Sequence, residues 1–80
     1  MSKLDLPSYV EVIKQTNYPI PNLVEMKESL LAHIDAQDLS TKQGYQSVLW
    51  AMEHYLNELD MMFMLTPNLS MIRNQIILNM

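Results

Sequence analysis

Apolar residues recur at helical spacing in four stretches of this chain. The longest runs from Ser40 to Leu65. In it Tyr45, Val48, Leu49, Met52, Tyr55, Leu56, Leu59, Met62 and Phe63 follow one another at steps of three and four. At about 100° per residue these side chains share an arc about 140° wide, the width of an ordinary core stripe. Ser40 and Gln43 stand at the spacing of a capping box, and Thr66-Pro67 closes the run, because proline disfavours helical geometry before it and lacks an N–H. The pattern predicts one helix over about 40–65, a rod about 39 Å long at ~1.5 Å per residue. The rest of the chain is expected to cover it.

Three shorter helices are predicted. The first, over about 6–16, starts from Asp5 as N-cap with Pro7 in the first turn, and shows Leu6, Tyr9, Val10 and Ile13 on one face. Asn17-Tyr18-Pro19-Ile20-Pro21 then reads as a stiff connector, with Tyr18 and Ile20 tucked against the core. The second helix, over about 22–37, is expected to open at Asn22 with Glu25 at the capping-box position. Leu23, Val24, Met26, Leu30, Leu31 and Ile34 share one of its faces, and Glu25, Glu28, Ala32 and Asp35 occupy the other. Lys27 interrupts the apolar arc. Either its stem snorkels out of the packed face or its ammonium pairs with Glu53 or Glu58; snorkelling is the favoured reading. The fourth helix, over about 67–79, takes Thr66 as N-cap and Pro67 at its first position. Leu69, Ile72, Ile76 and Met80 line one side of it, and Met71 and Leu78 lie nearly opposite.

The fold class that follows is all-α: a small bundle of three to four helices around the long one, forming a single domain over 1–80. No stretch alternates apolar and polar residues long enough for a strand. The expected core is Leu30, Leu31, Ile34, Val48, Leu49, Met52, Leu56, Leu59, Phe63, Ile72 and Ile76. The second helix is expected on the N-terminal half of the long one and the fourth on its C-terminal half.

Composition narrows the functional classes. Of 80 residues, 49% are hydrophobic, which argues against disorder. There is no cysteine, so thiolate and disulfide chemistry are excluded. The N-terminus has no signal-peptide core, and the longest apolar run, Met61 to Leu65, is far too short for a bilayer, so a cytoplasmic protein without a membrane partner is expected. The net charge of −4, with Arg73 alone basic after Lys42, leaves no cationic face for phosphate, so no nucleic-acid partner is expected.

Candidate chemistry is sparse. His33 and His54 lie on different helices without ligand-spaced carboxylates, and His54 has Glu58 at i+4 as a surface pair. Eight methionines, three of them at 61, 62 and 64, offer soft ligands for Cu(I), but at helical spacing they suit core or contact surface better. The acidic residues are scattered over helix faces rather than paired for acid–base work. No glycine-rich phosphate loop or nucleophile setting occurs. The expectation is therefore not an enzyme, with no cofactor, no metal and no catalytic residue. A helix-turn-helix reading of the second and third helices, with Ser40-Thr41-Lys42-Gln43 opening a recognition helix, is the first alternative; Glu53, Glu58 and Asp60 on its solvent face oppose it. A Met/His metal-binding helical protein is the second.

One feature points to a partner. With Trp50 at zero on the helical wheel, Met61 falls near 20° and Met64 near −40°, while the core arc centres near 190°. Trp50, Met61 and Met64 thus form a second stripe, interleaved with Gln43, Gln46, His54 and Asn57. Met71 and Leu78 leave a comparable surplus on the fourth helix. The expected interface residues are Trp50, His54, Asn57, Met61, Met64, Met71 and Leu78. The expected function is a non-enzymatic protein-interaction module, a small helical regulator, inhibitor or adaptor. It would bury this surface against another protein or a second copy of itself, most simply as a homodimer.

Overall fold

A computed structural model describes residues 5–63 and 65–80. Four helices follow in order: α1 (Leu6–Gln15), α2 (Pro21–Ala36), α3 (Lys42–Met62) and α4 (Pro67–Leu78). The protein is an all-α bundle, and no strand occurs among the described residues. Helix α3 is the spine. Its 21 residues span about 32 Å at ~1.5 Å each, matching the 33 Å long axis of the molecule. Helix α2 packs on one flank of α3 and α4 on the other, and α1 lies against α4. No helix of the described residues is long and apolar enough to cross a membrane.

The core draws on all four helices: Leu6 and Ile13; Leu23 and Leu30; Val48, Leu49, Met52, Tyr55, Leu56 and Leu59; Leu69, Ile72 and Ile76. Three residues expected inside are only half-buried. Leu31 and Ile34 sit where α2 is incompletely covered, and Phe63 lies past the end of α3, where helical periodicity no longer holds. Phe63 stacks instead on Tyr18, with ring centroids 4.9 Å apart and planes 15° from parallel. Tyr18 and Ile20 pack against the core as expected of the connector. The expected division of the spine is not observed for α2. Its C-terminal turn reaches Ser47 through His33, and its N-terminal turns share a groove with Glu58 and Met62.

Helix starts follow side-chain chemistry more closely than the apolar pattern does. Asp5 caps α1, accepting from the Ser8 amide and, at 2.7 Å, from the Ser8 hydroxyl. Thr66 caps α4 by accepting from the Leu69 amide. Two expected caps are displaced. Helix α2 starts at Pro21 behind Ile20, with no side-chain cap, because the proline ring already fixes the first helical φ. Helix α3 starts at Lys42 behind Thr41, whose hydroxyl oxygen accepts from the Gly44 amide at 3.0 Å. Ser40 lies one residue earlier, donating its hydroxyl to the Asp38 carboxylate at 2.6 Å and its amide at 3.0 Å. These bonds hold the Asp38 carboxyl below its ordinary value, the hydroxyl bond contributing most.

Gly44 is the only glycine and is buried against this turn. A Cβ there would collide with the Asp38 carbonyl oxygen and stand 2.8 Å from Thr41 Oγ1. The backbone of the α2–α3 turn fits against α3 only because position 44 has no side chain.

Lys27 does neither of the things its sequence suggests. Its ammonium donates to the Lys14 carbonyl at 2.7 Å, the Thr16 carbonyl at 2.9 Å and Asn17 Oδ1 at 3.0 Å. An ammonium has three N–H donors, and each has an acceptor. Lys27 is thus a C-terminal clamp for α1, placed where the helix dipole is negative. No pairing with Glu53 or Glu58 occurs.

Candidate protein-binding surface

Helices α2 and α3 do not close on each other along their outer edge. An open groove of about 730 Å³ lies between them. Its floor and walls include Met26 and Leu30 of α2 and Trp50, Ala51, Tyr55 and Met62 of α3. The spacing explains the opening. Only Leu23 and Leu30, seven residues apart, are fully buried on α2, and Met26 between them is half-buried. The groove edge of α3 carries Trp50, His54 and Met62, whose side chains stand outward.

The six nominated residues that the structure describes divide into three sets. Trp50 and Met61 are exposed, at 63% and 81%. Trp50 lines the groove, and His54 lies beside it with ring planes 14° from parallel and centroids 6.2 Å apart. His54 makes no ion pair with Glu58 among the described residues. Asn57 is half-buried and engaged on the α4 flank. Its Oδ1 accepts from Arg73 Nε at 2.6 Å, and its Nδ2 donates to Glu53. It braces α3 to α4 and stands apart from the groove. Met71 and Leu78 are exposed on α4, at 54% and 78%, accompanied by Ile77. Met64 lies outside the described residues.

Several groove residues were not nominated. Met26 and Met62 carry helical spacing that reads as core, Ala51 carries no signal of its own, and Glu25 and Glu58 read as solvated charges. Their shared position appears only when α2 is laid against α3. Met62 falls within the predicted core arc yet is 49% exposed, because it is the last residue of its helix.

One polar pair borders the groove, His33 from its lining and Ser47 beside it. His33 Nε2 and Ser47 Oγ share a hydrogen bond of 2.8 Å, the separation of a base and a nucleophile. Ser47, however, sits inside α3, where the neighbouring backbone amides are already hydrogen-bonded, so no pair of free donors faces its hydroxyl. No carboxylate orients His33 among the described side-chain hydrogen bonds. The pair ties the C-terminal turn of α2 to α3. No group of three His, Asp or Glu side chains placed to hold a metal occurs among the described residues. Below the groove Tyr55 is buried, and burial, followed by the proximity of Tyr18, pushes its phenol above the ordinary value.

No family model, curated protein or solved structure matches this chain.

Proposed function

We propose that this chain is a non-enzymatic protein-interaction module, a small regulator, inhibitor or adaptor that works in the cytoplasm by burying exposed helix surface against another protein or a second copy of itself. The observation that supports it is Trp50. The only tryptophan of the chain is mostly exposed at the lip of an open groove, and Met61 and Met62 are exposed about three turns further along the same helix. An indole left in water on a small domain forgoes much of the free energy its burial would supply, and tryptophan is among the residues that dominate binding hot spots. The methionines that line the same groove, Met26 and Met62, can adapt to the shape of an incoming surface. The apolar residues of α4, Met71, Ile77 and Leu78, add a second exposed surface suited to self-association.

The reading is tested by placing a photo-crosslinking side chain at Trp50, Met61 or Ala32 in turn and irradiating the source cells. Protein adducts, to itself or to another chain, are expected from positions 50 and 61, and none from Ala32 on the polar face of α2. An absence of adducts at 50 and 61, or equal adducts at all three, contradicts it. Sedimentation of the wild type beside Trp50→Ala/Met61→Ser at micromolar concentration separates the two kinds of partner. A wild-type dimer that the double substitution converts to a folded monomer identifies the second copy.

A further inference from the structure

We infer that the groove between α2 and α3 receives a basic amphipathic helix from a different protein, an inference that rests on the binding-module reading above. The first argument is shape. The groove is flanked by two helices along its length, from Asn22 to His33 on the α2 side. Eleven helical steps of ~1.5 Å give a trough about 16 Å long, or about three turns of an inserted helix. An apolar floor between two helices is the setting for helix-in-groove recognition, with anchors at i, i+3 or i+4, and i+7.

The second argument is charge. Glu25 and Glu58 are the charged side chains that line the groove, and neither lysine nor arginine lines it. Glu25 is in the first turns of α2 and Glu58 in the last turns of α3, so both acids stand at the same end of the trough. No ion pair engages either of them among the described residues. The chain as a whole carries a charge of −4. The complementary occupant is a helix with an apolar stripe and lysines or arginines gathered at one end.

The same charges weigh against a second copy in this groove. The exposed apolar face of α4 would have to enter it, and α4 brings one basic residue, Arg73, which Asn57 already engages. A second copy also adds its own excess of acids beside Glu25 and Glu58, a like-charge arrangement that suppresses pairing.

The probe is a synthetic amidated helix of about five turns, with leucines at helical spacing and three lysines at one end, beside a version with glutamates in place of those lysines. Each is titrated into the full chain at about 0.1 M salt, and the emission of Trp50 is followed. The lysine peptide is expected to shift Trp50 emission to the blue and saturate, with the glutamate peptide at least roughly tenfold weaker. Glu25→Lys/Glu58→Lys is expected to weaken the lysine peptide at least roughly tenfold and to strengthen the glutamate peptide. Glu11→Lys/Asp35→Lys, which alters the net charge equally but away from the groove, is expected to change the affinity less than about twofold. Circular dichroism of each variant confirms that it is folded. Equal binding of the two peptides, equal losses in the two double variants, or no response of Trp50 overturns the inference. Adducts at Trp50 in cells together with any of those outcomes remove the basic helix and leave the binding module standing; failure of both experiments removes both.

Discussion

The two flanks of α3 make an instructive pair. On one, α4 contributes Leu69, Ile72 and Ile76, all buried, and the seam is braced by Arg73 bonded to Asn57 and Asn57 to Glu53. On the other, α2 buries only Leu23 and Leu30, and the seam opens into the groove walled by Met26, Met62 and Trp50. Both flanks are apolar at helical spacing. They differ in the side chains used. Compact leucine and isoleucine interdigitate to close density, whereas methionine, tryptophan and histidine leave their outer ends free. One spine thus carries a closed seam on one flank and an open groove on the other.

The sharpest way to break that comparison is to truncate a side chain on each flank. Ile76→Ala, in the sealed seam, is expected to cost about 2–5 kcal/mol, a large share of what a domain of this size possesses. Trp50→Ala, on the open side, is expected to change stability by less than about 0.5 kcal/mol, because the indole is mostly in water already. Urea unfolding of both variants measures the difference. Similar losses would mean that the groove belongs to the stabilising core.

Gly44→Ala probes the turn that sets α2 beside α3. Alanine improves helix propensity by up to about 1 kcal/mol, but its Cβ meets the Asp38 carbonyl, and forcing backbone aside is expected to give a net loss of about 1–3 kcal/mol. A stabilised variant in thermal melts would show that the turn yields freely.

Lys27→Met comes next. It removes three hydrogen bonds from a charged donor to the end of α1. Because the site is half-buried and water can replace part of the loss, about 1–2 kcal/mol is expected. A neutral or stabilising result would restore the snorkelling reading.

The smallest effect lies at alkaline pH, under the groove. The Tyr55 phenol is raised from its ordinary value of 10.0, chiefly by burial and then by Tyr18. In the unfolded chain it ionises first, so the folded state holds more protons above about pH 10. Stability is therefore unaffected below that pH and falls as pH rises toward the folded value. Tyr55→Phe is expected to flatten this alkaline decline in melts recorded across the range; an unchanged decline would place the cause elsewhere.

Much of this architecture is legible in the residues. The four helices and the two proline-marked starts follow from apolar spacing and from φ constraints that act locally. Val48, Leu49, Met52, Leu56 and Leu59 are buried because a long helix with neighbours on both flanks must hide its stripe. The misreadings have nonlocal causes. Lys27 finds its acceptors at the end of α1 and in the connector, ten to thirteen residues back, along a path the spacing does not reveal. Gly44 is necessary because of a carbonyl six positions earlier, visible only once the turn is built. The exposure of Trp50 and Met61 was legible on a helical wheel. The groove was not, since half its lining lies on α2 and its acids, Glu25 and Glu58, are ordinary surface charges until the two helices meet. Asn57 shares the wheel position of the exposed stripe but is drawn into the seam by Arg73, which sequence spacing does not show.

The measurement that bears most directly on the open flank is an amide nitrogen–proton spectrum of the labelled chain recorded with and without the lysine-ended helix. Shifts are predicted along Asn22 to His33 and Trp50 to Met62, largest near Glu25 and Glu58, with Leu69 to Ile76 unmoved. Shifts centred on α4, or spread evenly over all four helices, would contradict the account.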